Sequence, residues 1–129
     1  MENQKISSFK DLKVWQKSIV LINQTYSLSK DFPANEKFGL TSQINRASVS
    51  IAANIAEGWG RESKKSFVQF LKISRGSLFE LDTLLIIAVN QNYLKDSDYD
   101  QLLIQVNEIG KMINSLIFSI EKKLINDTE

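Results

Sequence analysis

The sequence predicts an all-α fold, an antiparallel up-down four-helix bundle. Three observations predict it. The 129-residue chain has one proline and five glycines, and its long uninterrupted spans are rich in Leu, Ile, Ala, Lys and Glu, the residues that favour helix. Apolar residues recur at helical spacing in four successive segments. Short polar breaks separate those segments, and helices joined by short loops pack as antiparallel neighbours. The length suits one domain with one core, read as a flexible N-terminal tail over 1–8 and a bundle over 9–129.

The first helix is expected from Asp11 to Ser29, with Val14, Leu21 and Leu28 as its inner seam. Pro33 suits the first turn of the second helix, where its missing N–H is not needed. That helix is expected to run to Glu57 on a seam of Leu40, Ile44, Ala47, Ile51 and Ile55, with Gly58 as a left-handed C-cap. Ser63 is placed to cap the third helix through its hydroxyl. This helix should run from Lys64 to Gln91, with Phe67, Phe70, Leu71, Leu78, Leu81, Leu85 and Ala88 facing inward beside Ser74 and Ser77. The fourth is expected to start at Ser97, with Asp98 and Asp100 in a first turn that favours acids and Lys122 and Lys123 in a last turn that favours cations. Its seam is Leu102, Val106, Ile109, Ile113, Leu116, Ile120 and Leu124.

Several helices carry a second apolar stripe. These are Trp15, Ile19, Ile22 and Tyr26 on the first, Val68, Phe79 and Ile86 on the third, and Ile104, Phe118 and Ile125 on the fourth. A bundle needs one apolar face per helix, and a surplus left on the surface marks an interface. The second stripes are therefore assigned to self-association.

The second helix bears a polar row, Gln43, Arg46, Ser50, Asn54 and Glu57, beside its seam. The spacing is that of a helix–helix contact. Antiparallel pairing with the third helix sets Arg46 near Ser77 and Glu80, so a buried Arg46–Glu80 ion pair is expected, with Glu57 and Asn54 holding the following loop or Arg61. The row is assigned to structure.

Chemistry is limited by absences. The chain has no cysteine, hence no disulfide or thiol nucleophile. It has no histidine, the commonest general base and metal ligand. Gly58-Trp59-Gly60-Arg61 lacks the phosphate-loop pattern. No catalytic residue, cofactor or metal site is assigned, and no enzymatic activity is expected. The N-terminus has no apolar signal core and no apolar run approaches the roughly 20 residues of a membrane span, so a cytoplasmic protein with no membrane partner is expected.

The formal net charge is +1, but the middle of the chain is the basic part. Arg61, Lys64, Lys65, Lys72 and Arg75 are opposed there only by Glu62. Such a patch suits the phosphates of nucleic acid or a ribonucleoprotein, and alternatively an acidic protein partner, which would make the chain a protein–protein adaptor.

Val14-Trp15-Gln16, Phe32-Pro33, Phe38-Gly39-Leu40, Arg46-Ala47-Ser48, Asn54-Ile55-Ala56-Glu57-Gly58, Gly60-Arg61, Gly76-Ser77-Leu78, Glu80-Leu81 and Tyr93-Leu94 resemble the four-helix bundle proteins encoded in intervening sequences of bacterial 23S rRNA genes. The pattern is also similar to the accessory variability determinant protein of diversity-generating retroelements. The resemblance runs from Phe9 to Leu124. It implies a ring-like homopentamer, a scaffold or accessory role, and for the retroelement relatives association with a reverse transcriptase and nucleic acid. It implies no catalytic residues. Asn92 stands where these relatives often have a glycine before Tyr-Leu, and Ser66 where an acid often precedes the phenylalanine.

Overall fold

The computed structural model describes residues 5–127, with side chains through Asn126. Four helices carry it: α1 (Lys13–Ser29), α2 (Leu40–Gly60), α3 (Lys64–Asn90) and α4 (Asp96–Asp127). Short 3-10 turns, Phe9–Asp11 and Ala34–Glu36, precede α1 and α2. Each helix packs on its neighbours in the chain, and α1 also meets α4, which closes the ring. Among the described residues, the backbones of the diagonal pairs stay more than 8 Å apart between Cα atoms. This is the predicted up-down bundle.

Of the expected N-terminal tail, residues 1–4 lie outside the described residues. Ser7 and Ser8 are tied to the fold. Asp11 Oδ2 accepts from Ser7 N, Ser7 Oγ and Ser8 N, while Ser8 Oγ accepts from Lys10 N. The hydrogen bonds from Ser7 hold the Asp11 carboxyl below its ordinary range.

The second helix starts later than Pro33. Pro33 opens the 3-10 turn, and the α-helix begins only at Leu40, where Glu36 Oε1 accepts from Leu40 N at 3.1 Å. The other oxygen, Oε2, accepts from Tyr93 Oη at 3.0 Å. One carboxylate therefore caps α2 and ties it to the α3–α4 connection.

Gly58 is not a left-handed cap. The helix runs through it to Gly60, and no glycine has positive φ. Gly58 is buried, and its missing side chain admits Phe67 and Phe70 of α3. The chain reverses instead at Glu62, φ 57°. Asn92, φ 64°, takes the left-handed position after α3, a conformation that asparagine tolerates better than most residues. Ser63 caps α3 as expected, accepting from Ser66 N.

Leu21, Ile44, Ile51, Ile55, Leu71, Leu78, Leu81, Leu85, Leu102, Ile109 and Ile113 form the fully buried centre. Ser18 and Thr25 of α1 and Ser48 of α2 are buried among them. Their hydroxyls donate to carbonyls three or four residues earlier in their own helices, which satisfies them without a partner helix. Val68 belongs to this core at 5% exposure, which corrects its assignment to an interface. It lies deep enough on α3 to fill the monomer's own interior.

Candidate functional site

The polar row of α2 divides in two. Ser50 Oγ and Ser77 Oγ share a 2.8 Å hydrogen bond across the α2–α3 seam. Asn54 Nδ2 donates to Ser50 O and Oγ, and the fully buried Ser74 donates to Ile51 O at 2.8 Å. Gln43, Arg46 and Glu80 are exposed, and their side chains make no hydrogen bond or ion pair among the described residues. The expected Arg46–Glu80 pair is absent. The pairing register brings Ser77 level with Ser50, and Arg46 points outward beyond reach of the seam. Glu57 does meet Arg61, at 3.5 Å, in a half-exposed pair within one turn. The guanidinium also lies 5.1 Å from the Phe70 ring centre.

The five basic residues assigned to a partner patch are not one cluster. Lys72 Nζ pairs with Glu121 at 3.6 Å, and Arg75 donates to Asn114 Oδ1 at 2.8 Å, so both stitch α3 to α4. Arg61, Lys64 and Lys65 remain at the corner where α2 ends and α3 begins. Up-down topology brings the start of α1 and the end of α4 to that same end. Lys10, Lys13, Lys122 and Lys123 lie at that end, all exposed. Among the residues with described side chains, their acidic neighbours are Asp11, Glu57, Glu62 and Glu121. The opposite end carries Asp31, Glu36, Glu80, Asp82, Asp96, Asp98 and Asp100 against Lys30, Lys37, Arg46 and Lys95. Among the described side chains, charge is thus unevenly divided between the two ends. Sequence reasoning missed the four added lysines because it summed charge along the chain, where Lys122 and Lys123 sit in an acidic stretch. The up-down order of four helices was the available signal, since it returns the end of α4 to the start of α1.

Two clefts open at the basic end. One, about 480 Å³, lies between α1 and α4 over Leu12, Val14, Met112 and Leu116, with Lys13 and Lys111 beside it. The other, about 360 Å³, lies at the α2–α3 corner, with Trp59 and Phe67 as walls and Ser7, Glu62, Ser63 and Lys64 around them. Trp59 meets Phe67 edge to face, with centroids 6.0 Å apart.

Among the described residues no three His, Cys, Asp or Glu side chains come together to hold a metal ion. Asp82 accepts from Tyr99 Oη at 2.6 Å, and Glu36 is engaged by Tyr93 and Leu40, so these carboxylates hold helices together. Among the described residues no helix is long and apolar enough to cross a membrane. What the basic end can do chemically is attract and hold anions.

This geometry, four helices in up-down order with a Gly58–Phe70 approach and the Ser50–Ser77 seam, falls within the region matched by a known family. The sequence model of the 23S rRNA-intervening sequence protein family matches residues 10–115. The chain belongs to that family. Among solved structures, this 23S rRNA-intervening sequence protein is similar to a protein of unknown function from the S23 ribosomal protein family of Bacteroides thetaiotaomicron. The two are 27% identical with a TM-score of 0.74, over 81% of this chain and 97% of the other. Comparison with curated proteins finds no match.

The residues assigned to self-association fall into three groups. Val68 is core, as above. Trp15, Ile19 and Ile22 are half-buried, with Trp15 stacked edge-on to Phe9. Tyr26, Phe79, Ile86, Ile104, Phe118 and Ile125 are exposed, with Phe79 at 58%, Ile104 at 68% and Phe118 at 69%. The structure adds exposed Val20, Val49, Ile73 and Ile87, which the sequence reading did not single out. Lys17 and Gln24 mark the flank of α1 that faces α4, through Glu108 and Gln105. Ile22 and Tyr26 lie on the other flank, toward α2 and Val49. Phe79 and Ile86 lie on the α4 side of α3, between and beyond the Arg75–Asn114 and Asp82–Tyr99 contacts. Two opposite sides of the bundle, α1/α2 and α3/α4, thus carry exposed apolar side chains.

Proposed function

We propose that this family member is a cytoplasmic, non-enzymatic scaffold or accessory subunit that self-associates and binds nucleic acid or a ribonucleoprotein through its basic end. The observation that carries the reading is the convergence of Lys10, Lys13, Arg61, Lys64, Lys65, Lys122 and Lys123 at one end. A cationic surface of this kind binds phosphate polymers by releasing their counterions.

Self-association is supported by the two apolar sides. A patch on α1/α2 that meets an unlike patch on α3/α4 of the next copy makes a head-to-tail contact, and such contacts close into rings when the rotation allows. The family resemblance implies five copies. All basic ends then share one rim, and weak single contacts add through effective concentration.

The test is retention of labelled RNA and DNA by purified protein across a salt series. Retention should fall steeply with salt, and reversing Lys122 and Lys123 to Glu should weaken it for all sequences alike. Retention that is absent, or indifferent to salt, refutes the reading.

A further inference from the structure

We infer that the Trp59 cleft is a stacking site for an unpaired nucleobase, so that the basic end prefers single-stranded to double-stranded nucleic acid. This rests on the polyanion reading above and specifies its ligand. The cleft at the α2–α3 corner differs in kind from its larger neighbour. The α1/α4 cleft is bordered by Lys13, Lys111, Ser115 and Ser119 but has no aromatic wall, so it offers a base nothing to stack on. The Trp59 cleft combines two aromatic walls with hydroxyls from Ser7 and Ser63. A nucleobase presents the same combination, an aromatic face with polar edges, and a volume of about 360 Å³ holds one with its sugar.

The placement of Trp59 is specific. It lies in the last turn of α2, beyond the point where Gly58 lets that helix press on Phe67 and Phe70. Its edge-to-face contact with Phe67 fixes the indole plane and leaves it half-buried, lining the cleft. Arg61 is held close by, over Phe70. Lys64 lines the cleft and Lys65 follows it, so cations for the flanking phosphates border the aromatic surface. An aromatic platform within a cationic groove is how proteins hold single strands without reading sequence. A duplex keeps its bases stacked inside and cannot use the platform. Glu62 stands at the rim with its backbone in the left-handed region, and its charge opposes phosphate.

The experiment measures anisotropy of labelled oligo-thymidylate and of a duplex of equal length, together with indole fluorescence of a Trp15→Phe protein in which Trp59 is the sole reporter. Expected are tighter binding of the single strand, quenching of Trp59 on binding, and a loss of about tenfold in single-strand affinity for Trp59→Leu with duplex affinity unchanged. Glu62→Gln should tighten both ligands and does not depend on the folding of the Trp59 variant. Equal single-strand and duplex binding without quenching overturns the stacking site and leaves the polyanion reading standing. Binding of neither nucleic acid overturns both. Binding of polyglutamate alone overturns both in favour of an acidic protein partner.

Discussion

Gly58 lies so close to Phe70 that a methyl group on it would stand 2.7 Å from the Phe70 Cβ and 3.0 Å from Phe67 Cδ1. Real side chains do not approach that closely, so α2 and α3 touch here through backbone and ring. Gly58→Ala should destabilise the bundle by about 1–3 kcal/mol through overpacking. Gly76 of α3 is the control, since nothing stands within 4 Å of its added Cβ. Gly76→Ala should stabilise by about 0.5–1 kcal/mol, the usual gain in an open helix interior. Denaturant unfolding of both variants measures the contrast, and equal midpoints would deny the close approach.

Arg46 and Glu80 are exposed and unpaired among the described residues, so Arg46→Met and Glu80→Gln should each change stability by no more than about 0.5 kcal/mol. Ser74→Ala removes a buried donor to Ile51 O, and Ser77→Ala removes the partner of Ser50. Each should cost about 0.5–1.5 kcal/mol. Thermal melts of the four variants rank them, and a large loss for either charge variant would restore the buried ion pair.

The Tyr99 hydroxyl is pushed up to about 12, first by burial and then by its hydrogen bond to Asp82. The folded value lies above the ordinary 10.0, so the contribution is fully present below pH 10 and is lost as pH rises toward 12. Ultraviolet titration should show a tyrosine that ionises only as pH approaches 12. Tyr99→Phe should cost about 1 kcal/mol at neutral pH and flatten the alkaline decline. An unchanged alkaline decline in the variant would place the sensitivity elsewhere.

Phe79 of α3 and Ile104 of α4 stand more than half exposed. A Phe79→Glu, Ile104→Glu double variant should scatter light as a single 14.7 kDa chain, while the natural sequence scatters as a multiple of it. A monomeric natural chain, or a variant with unchanged mass, would remove self-association through these side chains. The variant should stay folded, because neither side chain belongs to the core.

The architecture was legible in the sequence because four apolar seams with short breaks admit few other arrangements. Of the predicted seam of α2, Ile44, Ala47, Ile51 and Ile55 are buried as expected and Leu40 is half-buried. The helix ends were less legible. Gly58 reads as a cap by residue type, yet what decides its role is the approach of α3, a tertiary fact. Pro33 reads as a helix start, but the Glu36 carboxylate capping Leu40 moves the start to the far side of Gly39. The polar row failed in facing rather than in level, since Arg46 and Glu80 are both exposed. Ser50 faces the seam and pairs with Ser77, whereas Arg46, four residues earlier, faces solvent. The second stripes divided because Val68 and Phe79, on the same expected stripe, lie at different depths, one under α4 and the other at its rim. Charge was the least legible property, since it depends on which chain ends the topology gathers.

Among the described side chains, the unlike charges at the two ends give the molecule an electric moment along its long axis. A negatively charged polymer will turn it during approach, before any contact forms, so that the same end arrives first. Under the proposed function, productive collisions then outnumber those expected for random tumbling, and added salt should slow the meeting as well as loosen the complex.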